Sequence, residues 1–244
     1  MSAKFTVKNF SVVVPIHNEE EIIIHSAAQI YDICKRQSLD FELIFVENGS
    51  EDETLSLLKT FVSKKEQCKL VILDISNYGN ALKQGFLNAE NQIVISFDID
   101  YFSEDFLEDA LELDKNYAAI TASKRLVKSD DGRRFIRRLA TFIFVTLLKL
   151  LFKTKLSDTH GMKAVRKASI MDQIKNVVST QDLFDTELLI RVERSGNKIL
   201  EVPAVINEIR PSFSVIYKRI PRTISSLLKL RAQLSRESLK TKNL

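Results

Sequence analysis

The chain has 244 residues, 45% hydrophobic and 28% charged, enough to close a sizeable core and too apolar for a disordered chain. Its two cysteines, Cys34 and Cys68, exclude a disulfide framework and point to a reducing compartment. The net charge of +4 is uneven: residues 124–168 hold 13 Lys/Arg against 3 Asp/Glu, a local +10, and residues 210–244 hold 9 against 1, a local +8, which leaves −14 for the remainder.

In chain order, residues 1–9 carry Lys4 and Lys8 but lack the apolar stretch and small-residue cleavage site of a signal peptide, so a cytoplasmic protein is expected. Apolar, β-branched runs at residues 10–15, 41–46, 70–73 and 92–97 predict buried parallel strands. Between them, residues 19–37 place Ile22, Ile23, Ala27, Ile30 and Ile33 on one helical side, residues 52–62 do the same with Leu55, Leu58 and Phe61, and residues 81–89 give a further helix. The strand–helix alternation predicts an α/β, doubly wound, mostly parallel sheet with its ligand crevice at the carboxyl ends of the strands.

Further along, residues 134–155 predict an amphipathic helix. Its apolar run of 14 positions, 139–152, is interrupted only by Lys149; it reaches about 21 Å, short of the roughly 30 Å hydrocarbon core of a bilayer. Arg134, Arg137, Arg138, Lys149 and Lys153 gather on one side and Phe135, Leu139, Phe142, Ile143 and Leu150 are among those covering the rest, the form of a helix lying in a lipid interface; a core helix with snorkelling lysines is the alternative. A second amphipathic helix is expected from Pro221, as first helical residue, with Ile224, Leu227, Leu228 and Leu234 apolar and Arg222, Lys229, Arg231 and Arg236 basic; the residues from Leu234 onward are expected to fray.

The chemistry concentrates where the strands end. Asp98-Ile99-Asp100 follows the fourth strand, and strand alternation predicts both carboxylates on one side, where they repel unless a hard divalent cation lies between them. Such an ion, Mg²⁺ or Mn²⁺, would grip a diphosphate and neutralise its charge as it leaves.

Taken together and in order, Val14-Pro15-Ile16-His17-Asn18-Glu19-Glu20, Phe45-Val46-Glu47-Asn48-Gly49-Ser50-Glu51-Asp52, Asn77-Tyr78-Gly79 and Phe97-Asp98-Ile99-Asp100 resemble the successive motifs of family-2 glycosyltransferases, which have the GT-A fold. Ala122-Ser123-Lys124-Arg125, Ser157-Asp158-Thr159-His160-Gly161-Met162-Lys163 and Phe184-Asp185-Thr186-Glu187-Leu188 resemble the dolichyl-phosphate mannose synthase and polyprenyl-phosphate glycosyltransferase subgroup. The resemblance implies that Pro15, Asn18, Glu19, Glu47, Asn48 and Asp98 bind the nucleotide, and that Asp98 and Asp100 hold the metal. It implies also that Arg125, Arg137, Arg138 and Arg210 bind the acceptor phosphate, with Asp98, Asp100, Arg125 and Arg210 as the catalytic set. For Asp158, Asp185 and Glu187, a place facing the sugar and a packing or capping role both stand open; His17 and His160 are left outside the set.

The implied partners are a nucleotide-sugar donor (GDP-mannose or a UDP-hexose), a lipid-phosphate acceptor and the cytoplasmic face of a membrane, with no nucleic acid. The implied organisation is a catalytic domain over residues 1–210, including the interfacial helix 134–155, and a basic amphipathic extension over residues 211–244. Three departures stand out. Glu47-Asn48 replaces a pair of aspartates, Phe102 stands where relatives carry a metal-ligating glutamine, and Gly79-Asn80-Ala81, with Lys83 further along, replaces Gly-Lys-Gly. The first two keep open an inactive, nucleotide-binding membrane scaffold; a transferase of the same fold with a glycan or protein acceptor is the alternative enzyme.

Overall fold

In a computed structural model, which describes residues 9–38, 40–126, 128–131, 135–179, 183–206 and 216–242, the apolar runs become strands and the periodic stretches helices. The first half reads β1 (Phe10–Ile16), α1 (Ile23–Gln37), β2 (Phe41–Asn48), α2 (Thr54–Val62), β3 (Cys68–Leu73), α3 (Tyr78–Asn88) and β4 (Ile93–Ser96). There follow α4 (Glu104–Leu111), β5 (Tyr117–Ser123), β6 (Asp130–Asp131), α5 (Phe135–Phe152), β7 (Lys163–Arg166), α6 (Lys167–Asn176), α7 (Phe184–Arg194), β8 (Lys198–Pro203), β9 (Val205–Ile206) and α8 (Ile216–Lys242).

Seven strands form one sheet in the order β3-β2-β1-β4-β7-β5-β8. All its pairings are parallel except those of β7, which runs antiparallel between β4 and β5. The chain leaves β4 through α4 and skips one strand position before β5; β7 fills that position from the opposite direction. Its leading residue Lys163 pairs with Ser96 and with Thr121, so the segment before it lies at the sheet end where the parallel strands finish.

Side chains alternate between two cores. Val12, Val14, Ile16, Leu43, Phe45, Ile93 and Ile95 pack under α1, α2 and α4, while Val13, Ile44, Val46 and Val94 pack under α3, α6 and α7. A sheet covered on both faces needs strands that are apolar throughout. Gly85 lets α3 lie close to it, since a Cβ there would stand 2.1 Å from Val13 Cγ1.

A third cluster joins α5, α7 and α8 through Leu148, Ile190, Leu227, Leu230 and Leu234. Two expectations change here. The last helix starts at Ile216 rather than Pro221, which falls in its second turn. It also does not fray from Leu234, because Leu234 is buried and Glu237 is paired with Arg191 at 2.7 Å. Among the described residues, no helix is long and apolar enough to cross a membrane.

Candidate active site

The loops after β1 and β2 are bonded to each other. Asn18 adopts a φ of 55°, a left-handed conformation that asparagine tolerates. Its N–H donates to Ser50 Oγ (3.0 Å) and its Oδ1 accepts from Glu51 N–H (2.8 Å). Glu19 N–H donates to Thr54 Oγ1 at 2.8 Å, and Glu53 N–H donates to Glu20 Oε2 at 2.9 Å. These bonds hold residues 19–22 outside α1, so the helix begins at Ile23 rather than at residue 19.

Glu47 is 2% exposed, and its Oε1 accepts the Ser50 N–H at 2.6 Å. Asn48, its neighbour on the strand, points the other way. Its Oδ1 accepts the Asn77 N–H at 2.7 Å; a backbone N–H only donates, which fixes the amide with Nδ2 as the remaining donor.

A cleft of about 290 Å³ opens at these strand ends, lined by Pro15, Ile16, His17, Glu19, Asn48, Tyr78, Asp98, Ile99 and Asp100. Five of the residues singled out in the sequence meet there: Pro15, Glu19, Asn48, Asp98 and Asp100. Asn18 and Glu47 instead hold the loops that carry them. His17 lines the cleft although sequence reasoning set it aside.

Asp98 and Asp100 reach the cleft by a turn rather than by strand alternation. β4 stops at Ser96, and Asp98 and Tyr101 exchange backbone hydrogen bonds of 3.2 and 3.1 Å. Proximity of the two carboxylates therefore comes from turn geometry.

Tyr78 was overlooked, and the available signal was the capping asparagine before it. Asn77 accepts the Asn80 N–H and starts α3 at Tyr78, whose hydroxyl donates to Asp98 Oδ1 at 2.8 Å. Burial holds the Asp98 carboxyl above its ordinary pKa, against the opposing pull of the Tyr78 hydrogen bond and the Lys163 charge. Burial and the Asp98 charge likewise push the Tyr78 phenol well above its usual value. Lys83 is engaged elsewhere: its Nζ donates to the carbonyls of Lys175 and Val177 at 2.9 and 2.7 Å, closing the end of α6.

The acidic residues left open by the sequence all have internal partners. Asp158 accepts from Lys124 N–H (3.3 Å) and His160 N–H (3.0 Å), fixing the turn before β7. Asp185 pairs with Lys163 at 3.0 Å, both buried, which explains a lysine inside a core strand; its Oδ1 has no hydrogen-bond partner among the described residues. Glu187 accepts from Ser179 N–H at 2.7 Å and from Arg191 Nε at 2.6 Å.

Neither Arg125 nor Arg138 is among the residues that line this cleft. Arg125 follows β5 and lays its guanidinium over the Phe142 ring of α5, 4.9 Å from the centroid. Arg138 is exposed on α5. Arg210 and the Arg137 side chain lie outside the described residues. α5 turns Val145 and Leu148 inward and leaves Phe135, Leu139, Phe142, Ile143 and Leu150 exposed, so it is a core helix on one side and an uncovered apolar stripe on the other.

A seven-stranded α/β sheet with a cleft at its strand ends, headed by two aspartates, is the GT-A fold of glycosyltransferases. Residues 11–174 match Glycosyl transferase family 2, well over half of the chain, and the chain belongs to that family. An undecaprenyl-phosphate 4-deoxy-4-formamido-L-arabinose transferase of Pectobacterium atrosepticum is 34% identical over 96 residues, 38% of this chain and 29% of that protein. A dolichyl-phosphate beta-glucosyltransferase of Dictyostelium discoideum is 26% identical over 217 residues, 82% of this chain and 66% of that one. The match to the arabinose transferase thus spans under a third of that protein's length. Glucosyl-3-phosphoglycerate synthase of Mycobacterium tuberculosis, solved with Mn²⁺, uridine diphosphate and phosphoglyceric acid, superposes with a TM-score of 0.67 at 20% identity, covering 92% of this chain and 78% of that one; this likeness is one of fold.

Proposed function

We propose that this protein transfers a hexose, mannose or glucose, from GDP or UDP to a polyprenyl or dolichyl phosphate, inverting the anomeric carbon, at the cytoplasmic face of a membrane. One observation carries the reading: the cleft headed by Asp98 and Asp100 opens at the carboxyl ends of the parallel strands, the same end at which Arg125 follows β5 and lies over a helix with an exposed apolar stripe. The names of two relatives, for undecaprenyl and dolichyl phosphate, support a lipid-phosphate acceptor. The basic stretches 124–168 and 210–244 support contact with anionic headgroups, each Lys or Arg near such a surface contributing about 1 kcal/mol. On this reading residues 1–210 form the catalytic unit and 211–244 a basic extension.

Two carboxylates at the cleft suit Mg²⁺ or Mn²⁺, which bind through one or two carboxylates and complete their shell with water and substrate phosphates. When bound, the ion supplies positive charge to the departing diphosphate. Asp98, oriented by the Tyr78 hydroxyl, and Asp100 would hold it. Pro15, Glu19 and Asn48 would seat the nucleotide, with Asn18 and Glu47 fixing the loops behind it. Arg125, Arg137, Arg138 and Arg210 would align the acceptor phosphate through paired N–H donors. A phosphate monoester, with a second pKa of about 6, is already largely ionised and hardly needs a general base, so positioning and charge neutralisation carry the rate.

An inactive nucleotide-binding scaffold is the second reading. It is favoured by Glu47 being turned into its own loop and by Phe102 packing on the core beside Phe97. Radiolabel transfer from GDP-mannose, UDP-glucose and UDP-N-acetylglucosamine to polyprenyl phosphate, with divalent metal present or chelated, separates the two. Metal-dependent label in the organic phase, lost in Asp100→Asn while vesicle binding persists, supports the transferase. Nucleotide binding without label from any donor supports the scaffold.

A further inference from the structure

We infer that Phe142 is a positioning residue: its ring holds the Arg125 guanidinium just beyond the carboxyl end of β5, so that the grip on the acceptor phosphate runs through a side chain that also faces lipid. The inference rests on the proposed roles of Arg125 and of α5.

Arg125 is fixed at its backbone and open at its head. Its N–H donates to Ser123 Oγ at 3.2 Å, and the N–H of the preceding Lys124 donates to Asp158 Oδ2 at 3.3 Å. Among the described residues its guanidinium has neither hydrogen bond nor ion pair; its contact is the face of Phe142, 4.9 Å from the ring centroid. A guanidinium held over a ring is engaged through the ring's π face and keeps its N–H donors for other partners, including two phosphate oxygens. A long exposed side chain would otherwise sample many rotamers, and that freedom would be lost on each binding event. The ring limits the loss.

Phe142 is itself half uncovered. It is 51% exposed, next to Leu139 at 44% and Ile143 at 59% on the same stripe of α5. Two residues on, Phe144 lies 5.1 Å, ring to ring, from His160, whose carbonyl accepts from Lys124 Nζ. α5 thereby touches both the arginine after β5 and the turn before β7. Seating the stripe in a lipid interface would withdraw water from the Arg125–Phe142 pair, and a desolvated cation–π contact is stronger than an exposed one.

Phe142→Leu keeps the stripe apolar but removes the π face; Phe142→Trp keeps both. The site is surface-exposed, so both variants should melt with the wild type. The full chain is assayed for turnover and for flotation with phosphatidylcholine–phosphatidylglycerol vesicles, with and without polyprenyl phosphate. We expect Phe142→Leu to raise the acceptor KM roughly 5- to 30-fold, about 1–2 kcal/mol at 1.4 kcal/mol per tenfold. The nucleotide-sugar KM and binding to undoped vesicles should stay unchanged, and Phe142→Trp should restore the wild-type value.

An unchanged acceptor KM in Phe142→Leu, an equal loss of binding to undoped vesicles, or failure of Phe142→Trp to rescue each overturns the inference alone. A wild-type protein that does not distinguish doped from undoped vesicles overturns the acceptor reading and the inference with it.

Discussion

Asn48 shows how one hydrogen bond can set what a pocket asks of its ligand. With Oδ1 committed to the Asn77 N–H, its Nδ2 has no partner among the described residues and offers the cleft a donor. Asn48→Asp would keep the Asn77 bond and present an acceptor instead. The expected result is a shift in preference toward bases that offer an N–H, by about 1–3 kcal/mol, read from titration of UDP, CDP and GDP against both proteins. The motif order in the sequence was enough to bring Asp98, Asp100 and Asn48 to one cleft. It could not say which of Glu47 and Asn48 faces the cleft: neighbours on a strand point opposite ways, and the choice depends on Glu47 reaching back to its own turn. Tyr78 was hidden for a related reason, since a tyrosine at a helix start has meaning only once the helix is aimed at Asp98.

At the scale of elements, α3 is set by what its middle lacks. Alanine is the better helix former by up to about 1 kcal/mol, yet a methyl at Gly85 would press on Val13 Cγ1 at 2.1 Å and on Val46 Cγ2 at 3.2 Å. Gly85→Ala should therefore destabilise the fold by about 1–3 kcal/mol, seen as a lower midpoint in urea, and weaken nucleotide binding because α3 carries Tyr78. The helices α1 to α3 were legible from apolar residues repeating along one side, and strands β1 to β4 from near-continuous apolar runs. β7 was not legible. Four residues, Lys163–Arg166, show no period, and a lysine in a core strand reads as loop until Asp185 is seen beside it.

For the molecule as a whole, the sequence marks two basic, apolar helices but not that the second docks on the body. That docking joins Leu227, Leu230 and Leu234 to α5 and α7 and links Glu237 to Arg191, which also holds Glu187. The Arg191 hydrogen bond lowers the Glu237 pKa below its ordinary value. Its contribution is thus complete above the ordinary carboxylate pKa and is lost as pH falls through the lower, folded value. Glu237 is 43% exposed, so Glu237→Gln should cost only about 0.5–1 kcal/mol at neutral pH. The difference in Tm between the two proteins should close on acidification below about pH 4.5.

The exposed stripe of α5 has a further consequence under the proposed function. The sugar donor arrives through water in three dimensions, whereas the acceptor is met by lateral diffusion within a film two molecules thick. What α5 senses is then the number of acceptors per unit of bilayer area, and adding inert phospholipid would slow the enzyme without removing a single acceptor from the tube.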